Sequence, residues 1–175
     1  MRTNRLAFFA VLLAAGLSSS SRIAGSPGPP ASPAAGKADL RSRGGIRIGS
    51  VFIPWGGVAV LNPADAIASG AGACSFNVSY DMTNAGSAAA GSPAKPFLNR
   101  LRLMDTATVA ATSTGLALDP NQTKSLSAQP KLPEGEHRLE LSLDDENAVD
   151  ESDETNNRTT VSYSLRGTCG PPKPK

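Results

Sequence analysis

His137 is the only histidine in a chain of 175 residues, so any Ser/His/Asp mechanism has one choice of base. No Gly-x-Ser-x-Gly segment offers a nucleophile to go with it. A zinc site would need more histidine or free cysteine than one His and two Cys supply. His137 also opens an alternating apolar series, the place of a structural or rim side chain. No catalytic residue is assigned, and the chain is read as a non-enzyme.

The second concentration of chemistry is acidic. Asp144-Asp145-Glu146-Asn147-Ala148-Val149-Asp150-Glu151-Ser152-Asp153-Glu154 carries seven of the 15 acidic residues. Oxygen-rich loops of this kind can hold calcium, which would draw on Asp144, Asp145, Asp150 and Asp153. The EF-hand spacing and its turn glycine are missing, so that loop type is excluded. The other reading is a solvated turn whose like charges discourage edge-to-edge strand pairing. No cofactor is required on that reading, and calcium is the alternative.

The elements that must position these residues lie between two tails. Arg2 and Arg5, the apolar run 6–17 and small residues after it have the order of a secretory signal, placed at about 1–21. The run is too short to span a bilayer, so no membrane span is expected once the signal is removed. Removing Arg2 and Arg5 leaves basic and acidic groups equal in number, cancelling the formal net charge of +2. With aromatics at 5% and no basic stripe interleaved with them, nucleic acid is not an expected partner. Residues 22–45, rich in Gly, Pro, Ala and Ser, read as a flexible linker, and 170–175 as a disordered tail.

The intervening 46–169 reads as an all-β sandwich of about seven short strands. Ile46 and Ile48, then Val51 and Ile53 after a phase change at Gly49-Ser50, predict one bulged edge strand. Val58–Leu61 follows the turn Pro54-Trp55-Gly56-Gly57, and Asn62-Pro63 could cap a short helical turn ending near Gly70. Cys74, Phe76, Val78 and Tyr80 share one face, as do Phe97, Leu101 and Leu103. His137, Leu139, Leu141 and Leu143 form another such series, and so do Val161, Tyr163 and Leu165. Weaker strands fall at 107–112 and 124–128. Cys74 and Cys169 are both in the inward phase, and export permits a disulfide between them.

The stretch Gly135-Glu136-His137-Arg138-Leu139-Glu140-Leu141-Ser142-Leu143-Asp144, followed by Asn147, Val149, Glu151, Glu154, Asn156 and Asn157, resembles the ending of the CARDB family, the cell-adhesion-related domain found in bacteria. Asn84-Ala85-Gly86 is similar to the family's Asn-x-Gly turn. The resemblance covers roughly 75–165 and implies a single Ig-like antiparallel sandwich. It departs from the family in Leu143, in extra residues around 87–95 and in the two cysteines. It further implies that Val149 folds back over the end of the core, with Asn156 and Asn157 shaping the turn into the last strand.

Function follows as an expectation: a secreted or periplasmic bacterial module for adhesion or protein interaction, its partner an unidentified protein or cell-surface ligand. The alternatives are a calcium-binding structural domain and a small secreted inhibitor or hydrolase. Sequons at Asn77, Asn121 and Asn157 are read as coincidental, given the bacterial resemblance.

Overall fold

Alternation of apolar and polar residues every second position is converted into buried and exposed faces throughout the computed structural model, which describes residues 36–70 and 72–170. Among these residues are twelve strands: β1 Leu40–Ile48, β2 Val51–Pro54, β3 Val58–Leu61, β4 Ala68–Gly70, β5 Ala73–Ser75, β6 Val78–Asn84, β7 Phe97–Leu103, β8 Thr108–Gly115, β9 Thr123–Ala128, β10 Lys131–Pro133, β11 Gly135–Ser142 and β12 Arg158–Leu165. Seven of them, β1, β6, β7, β8, β9, β11 and β12, are six residues or longer and account for the expected sandwich. The only other regular element described is a 3-10 turn at Pro63–Asp65, whose first free N–H is capped by the Asn62 side chain.

The strands form a four-stranded sheet in the order β2-β1-β6-β9 and a five-stranded sheet in the order β3-β12-β11-β7-β8. A small third sheet has the order β10-β5-β4. Pairing is antiparallel except between β3 and β12. In β6 and β7 every second side chain is buried. Phe76, Met82, Phe97, Leu101 and Tyr163 are among the largest fully enclosed side chains. Each large apolar side chain buried in this way contributes roughly 1.5–3 kcal/mol.

The structure departs from the sequence reading at its first boundary. Pairing begins at Leu40, not at Ile46, and Ala38 already bridges to Glu151. Leu40 is completely buried opposite Asn84, so the end of the segment read as a linker belongs to the fold. Its Gly- and Arg-rich composition masks a single pair of inward apolar residues, Ala38 and Leu40.

Gly49-Ser50 is a hairpin turn rather than a bulge, because Ile48 pairs with Val51 across it. Gly49 has φ 57, a conformation that glycine adopts without a side-chain penalty. The helical turn also ends early, giving way to β4. The Cys74 to Tyr80 series is divided between β5 and β6, although Cys74, Phe76, Val78 and Tyr80 are all buried. The segment read as a secretory signal and most of that read as a linker lie outside the described residues, as do residues 171–175 of the expected tail.

Candidate functional site

The hairpin end between β11 and β12 gathers the acidic side chains that sequence reasoning singled out. Leu143 continues the buried face of β11, and its N–H donates to Asn157 O at 2.9 Å, closing the mouth of the hairpin. Asp144 comes next in a left-handed conformation, φ 40, where Asp is among the residues best tolerated. Its carboxylate accepts the N–H groups of Ala148 at 3.0 Å and Val149 at 2.8 Å. Its own N–H donates to Asn99 Oδ1 at 3.1 Å. Asp144 is thus buried and spent on folding its own turn. Asn147 takes a second left-handed position, φ 50, and donates its N–H to Asp144 O. The result turns Val149 into the core, where it is 8% exposed.

Asp145 points the other way, onto the outer face of the five-stranded sheet. Arg102 meets it through both Nη1 and Nη2 at 2.5 Å, and Arg100 adds a contact at 2.5 Å. These guanidinium bonds, Arg102 foremost, hold the Asp145 carboxyl far below the usual carboxylate range. Arg100 also binds Glu146. Asp150 is exposed and pairs with Lys37 at 2.7 Å. Asp153 accepts the Thr155 N–H and hydroxyl at 2.9 and 2.6 Å, which lowers its carboxyl from the ordinary value.

The four candidate calcium ligands are therefore turned to four different tasks. Among the described residues, no three His, Cys, Asp or Glu side chains come together as a metal-binding group.

Glu151 is the buried acid of the turn, 4% exposed. It accepts the N–H of Leu40 from β1 at 2.5 Å and the Asn157 amide at 2.9 Å. Burial pushes its carboxyl up to about 7. Glu154 accepts the Glu151 N–H at 3.2 Å and the Asn157 amide at 3.3 Å. Asn156 reaches Asp39 Oδ1 at 2.7 Å, and Ser152 donates its N–H to Ala38 O at 2.8 Å. The turn thereby clasps the first strand as well as opening the last.

Asn84, at the end of β6, holds the same entry segment of β1 from the neighbouring strand. Its Oδ1 accepts the N–H groups of Asp39 and Gly86, and its amide donates to Ala88 O and Leu118 O. All four of its hydrogen-bonding positions are filled inside the protein.

His137 lies where β11 leaves Gly135. Its Nδ1 meets Asp105 Oδ2 at 3.0 Å and its Nε2 meets Glu134 O at 3.0 Å, with the Tyr163 ring 5.6 Å away. Both nitrogens face oxygen acceptors, and neither is directed at a hydroxyl that it could activate. The Asp105 partnership was not read from the sequence, where no spacing marks a contact across 32 residues.

Cys74 and Cys169 are joined in a disulfide, with Cα atoms 5.2 Å apart. It ties β5 to the segment after β12. Both cysteines are buried, and Cys169 N–H also donates to the Glu134 side chain. Among the described residues no helix is long and apolar enough to cross a membrane.

Comparison with known proteins places this geometry. Residues 64–161 match the CARDB family model. The crystal structure of a CARDB domain from Pyrococcus furiosus, in complex with di-metal ions, is 21% identical, with 74% of this chain and 90% of that chain covered at a TM-score of 0.50. A solution structure of the same archaeal domain is also 21% identical, covering 74% of this chain and 95% of that one at 0.51. A domain from Methanosarcina acetivorans whose name describes a cell surface protein is 19% identical over 61% of this chain and 82% of its own, at 0.46. No match was found among curated proteins. The antiparallel sandwich and a family match spanning more than half of the sequence lead to one conclusion: the chain belongs to the CARDB family.

Proposed function

We propose that the protein is a secreted or periplasmic contact module of the bacterial envelope, acting by adhesion or protein interaction and without catalytic activity. One observation carries this reading. The side chains with chemical potential are engaged in holding backbone or neighbouring charges, as Asp144, Asp145, Glu151 and His137 each show. What remains available to a partner is surface. Family membership supports the reading, since a shared fold supplies scaffold while contact faces vary.

The Pyrococcus furiosus relative was crystallised with di-metal ions. Calcium at Asp144, Asp145, Asp150 and Asp153 would require carboxylates now directed at separate partners to converge in this chain, so the binding-module reading is favoured.

Capture on immobilised mature protein, using envelope and culture-supernatant fractions, tests the proposal. Specific retention of an envelope component, equal for wild type and His137→Ala, is expected. A hydrolase screen that detects turnover by wild type and none by His137→Ala would overturn it.

A further inference from the structure

β1 carries Arg41, Arg43 and Arg47 on its exposed side. Their partners on β6 are Thr83, Asp81 and Ser79, which are successive positions on one outward face. Arg43 and Arg47 are four residues apart, yet their β6 partners are only two apart, because a bulge at Gly44-Gly45 absorbs the difference. Gly44 has φ 72, and a Cβ on Gly45 would lie 2.2 Å from Ile53 O, so the bulge depends on both glycines. The rows bearing the three arginines consequently follow one another at a regular interval of about 7 Å, set by the antiparallel strand rise.

None of the three forms a salt bridge among the described residues. Arg47 donates to Ser50 O at 3.1 Å and lies 5.9 Å from the Phe52 ring centre. Two hollows adjoin along the stripe, of about 460 and 370 Å³, sharing Arg43 and Gly44. Asp81 is the single acidic residue lining either of them. Hydroxyls share the face in the same rows, from Ser79, Thr83, Thr123, Ser125 and Ser127, with the Thr83 and Thr123 oxygens 2.8 Å apart.

We infer that this outer face of the four-stranded sheet binds an extended anionic polysaccharide whose repeating carboxylates meet Arg41, Arg43 and Arg47. Guanidinium groups match planar carboxylates in paired hydrogen bonds. A row of them rewards a ligand with regularly repeated negative charge. The hydroxyls suit a polyhydroxylated chain, and half-exposed Phe52 offers an apolar edge at one end. Single-stranded nucleic acid fits less well, because successive bases need several exposed aromatic platforms and Phe52 is the one large aromatic exposed among the described residues. The inference rests on the contact-module reading, whose own test is protein capture, so either can fail without the other.

Titration of the mature protein with polygalacturonate, followed calorimetrically, provides the test, with dextran, oligothymidylate and polyglutamate as comparison ligands. Binding to polygalacturonate but not dextran is expected, and it should weaken at least about fivefold between roughly 0.05 and 0.3 M salt as screening increases. Replacing all three residues, Arg41→Ser, Arg43→Ser and Arg47→Ser, should weaken it at least about tenfold. Arg158→Ser, on the other sheet, should leave it unchanged. All three arginine side chains are exposed, and an unchanged thermal midpoint would establish that the triple variant is folded. Absence of polygalacturonate binding, binding indifferent to the triple substitution, or tighter binding of oligothymidylate or polyglutamate would overturn the proposal.

Discussion

Glu151 accepts the backbone N–H of Leu40 across 111 residues of sequence, so the acidic turn before the last strand also holds the first strand in place. The carboxyl is buried and pushed up to about 7, and the native state therefore keeps its proton more tightly than the unfolded chain does. The associated stability is fully present below about pH 4.5 and is lost as pH rises through about 7. Chemical denaturation at pH 5 and pH 8 should show a loss of roughly 2 kcal/mol attributable to this group. Glu151→Gln, which cannot ionise, should flatten that part of the profile. An unaltered pH dependence in the variant would remove Glu151 as the cause.

Val149 and Asp150 are neighbours with opposite environments. Val149→Asp should cost roughly 1–3 kcal/mol, because the new polar group has no partner at the end of the core. Asp150→Ser loses only an exposed ion pair with Lys37 and should change stability by less than about 0.5 kcal/mol. Thermal unfolding with added calcium and with chelator distinguishes this account from a metal site. A calcium-dependent rise in Tm that disappears in Asp150→Ser would show the turn to be a ligand set.

Asp145 has a side chain only 3% exposed, between two partly exposed arginines. Removing the better-placed partner, in Arg102→Met, leaves an enclosed carboxylate with fewer donors and should destabilise by about 1–3 kcal/mol. Its lowered carboxyl makes this contribution present at neutral pH and lost as pH falls below the usual carboxylate range. Urea denaturation of wild type and variant at pH 7 and pH 2.5 should accordingly show the difference shrinking in acid.

The disulfide spans a sequence separation of 95 residues. For a loop of that size the chain-entropy account gives a stabilisation of about 4–5 kcal/mol as an upper figure. Mass spectrometry of unreduced, exported protein should find no free thiol, and reductant should lower Tm by several degrees. Two alkylatable cysteines in that material would contradict the bridge.

Period-two patterning by itself determined most of the core. Phe76, Val78, Tyr80, Leu139, Leu141, Val161 and Tyr163 face inward because a strand's side-chain direction is a local property of the chain. The phases of Cys74 and Cys169 were likewise local, which made their pairing readable. Only the tertiary structure decided that the fold starts at Leu40, that Glu151 is buried against it, and that Arg41, Arg43 and Arg47 form one regular row. Those outcomes depend on partners in other strands and on the two residues taken up by the Gly44-Gly45 bulge. Composition and periodicity describe how a segment divides its own faces, whereas register and burial of a polar group are set by what the rest of the chain places opposite it.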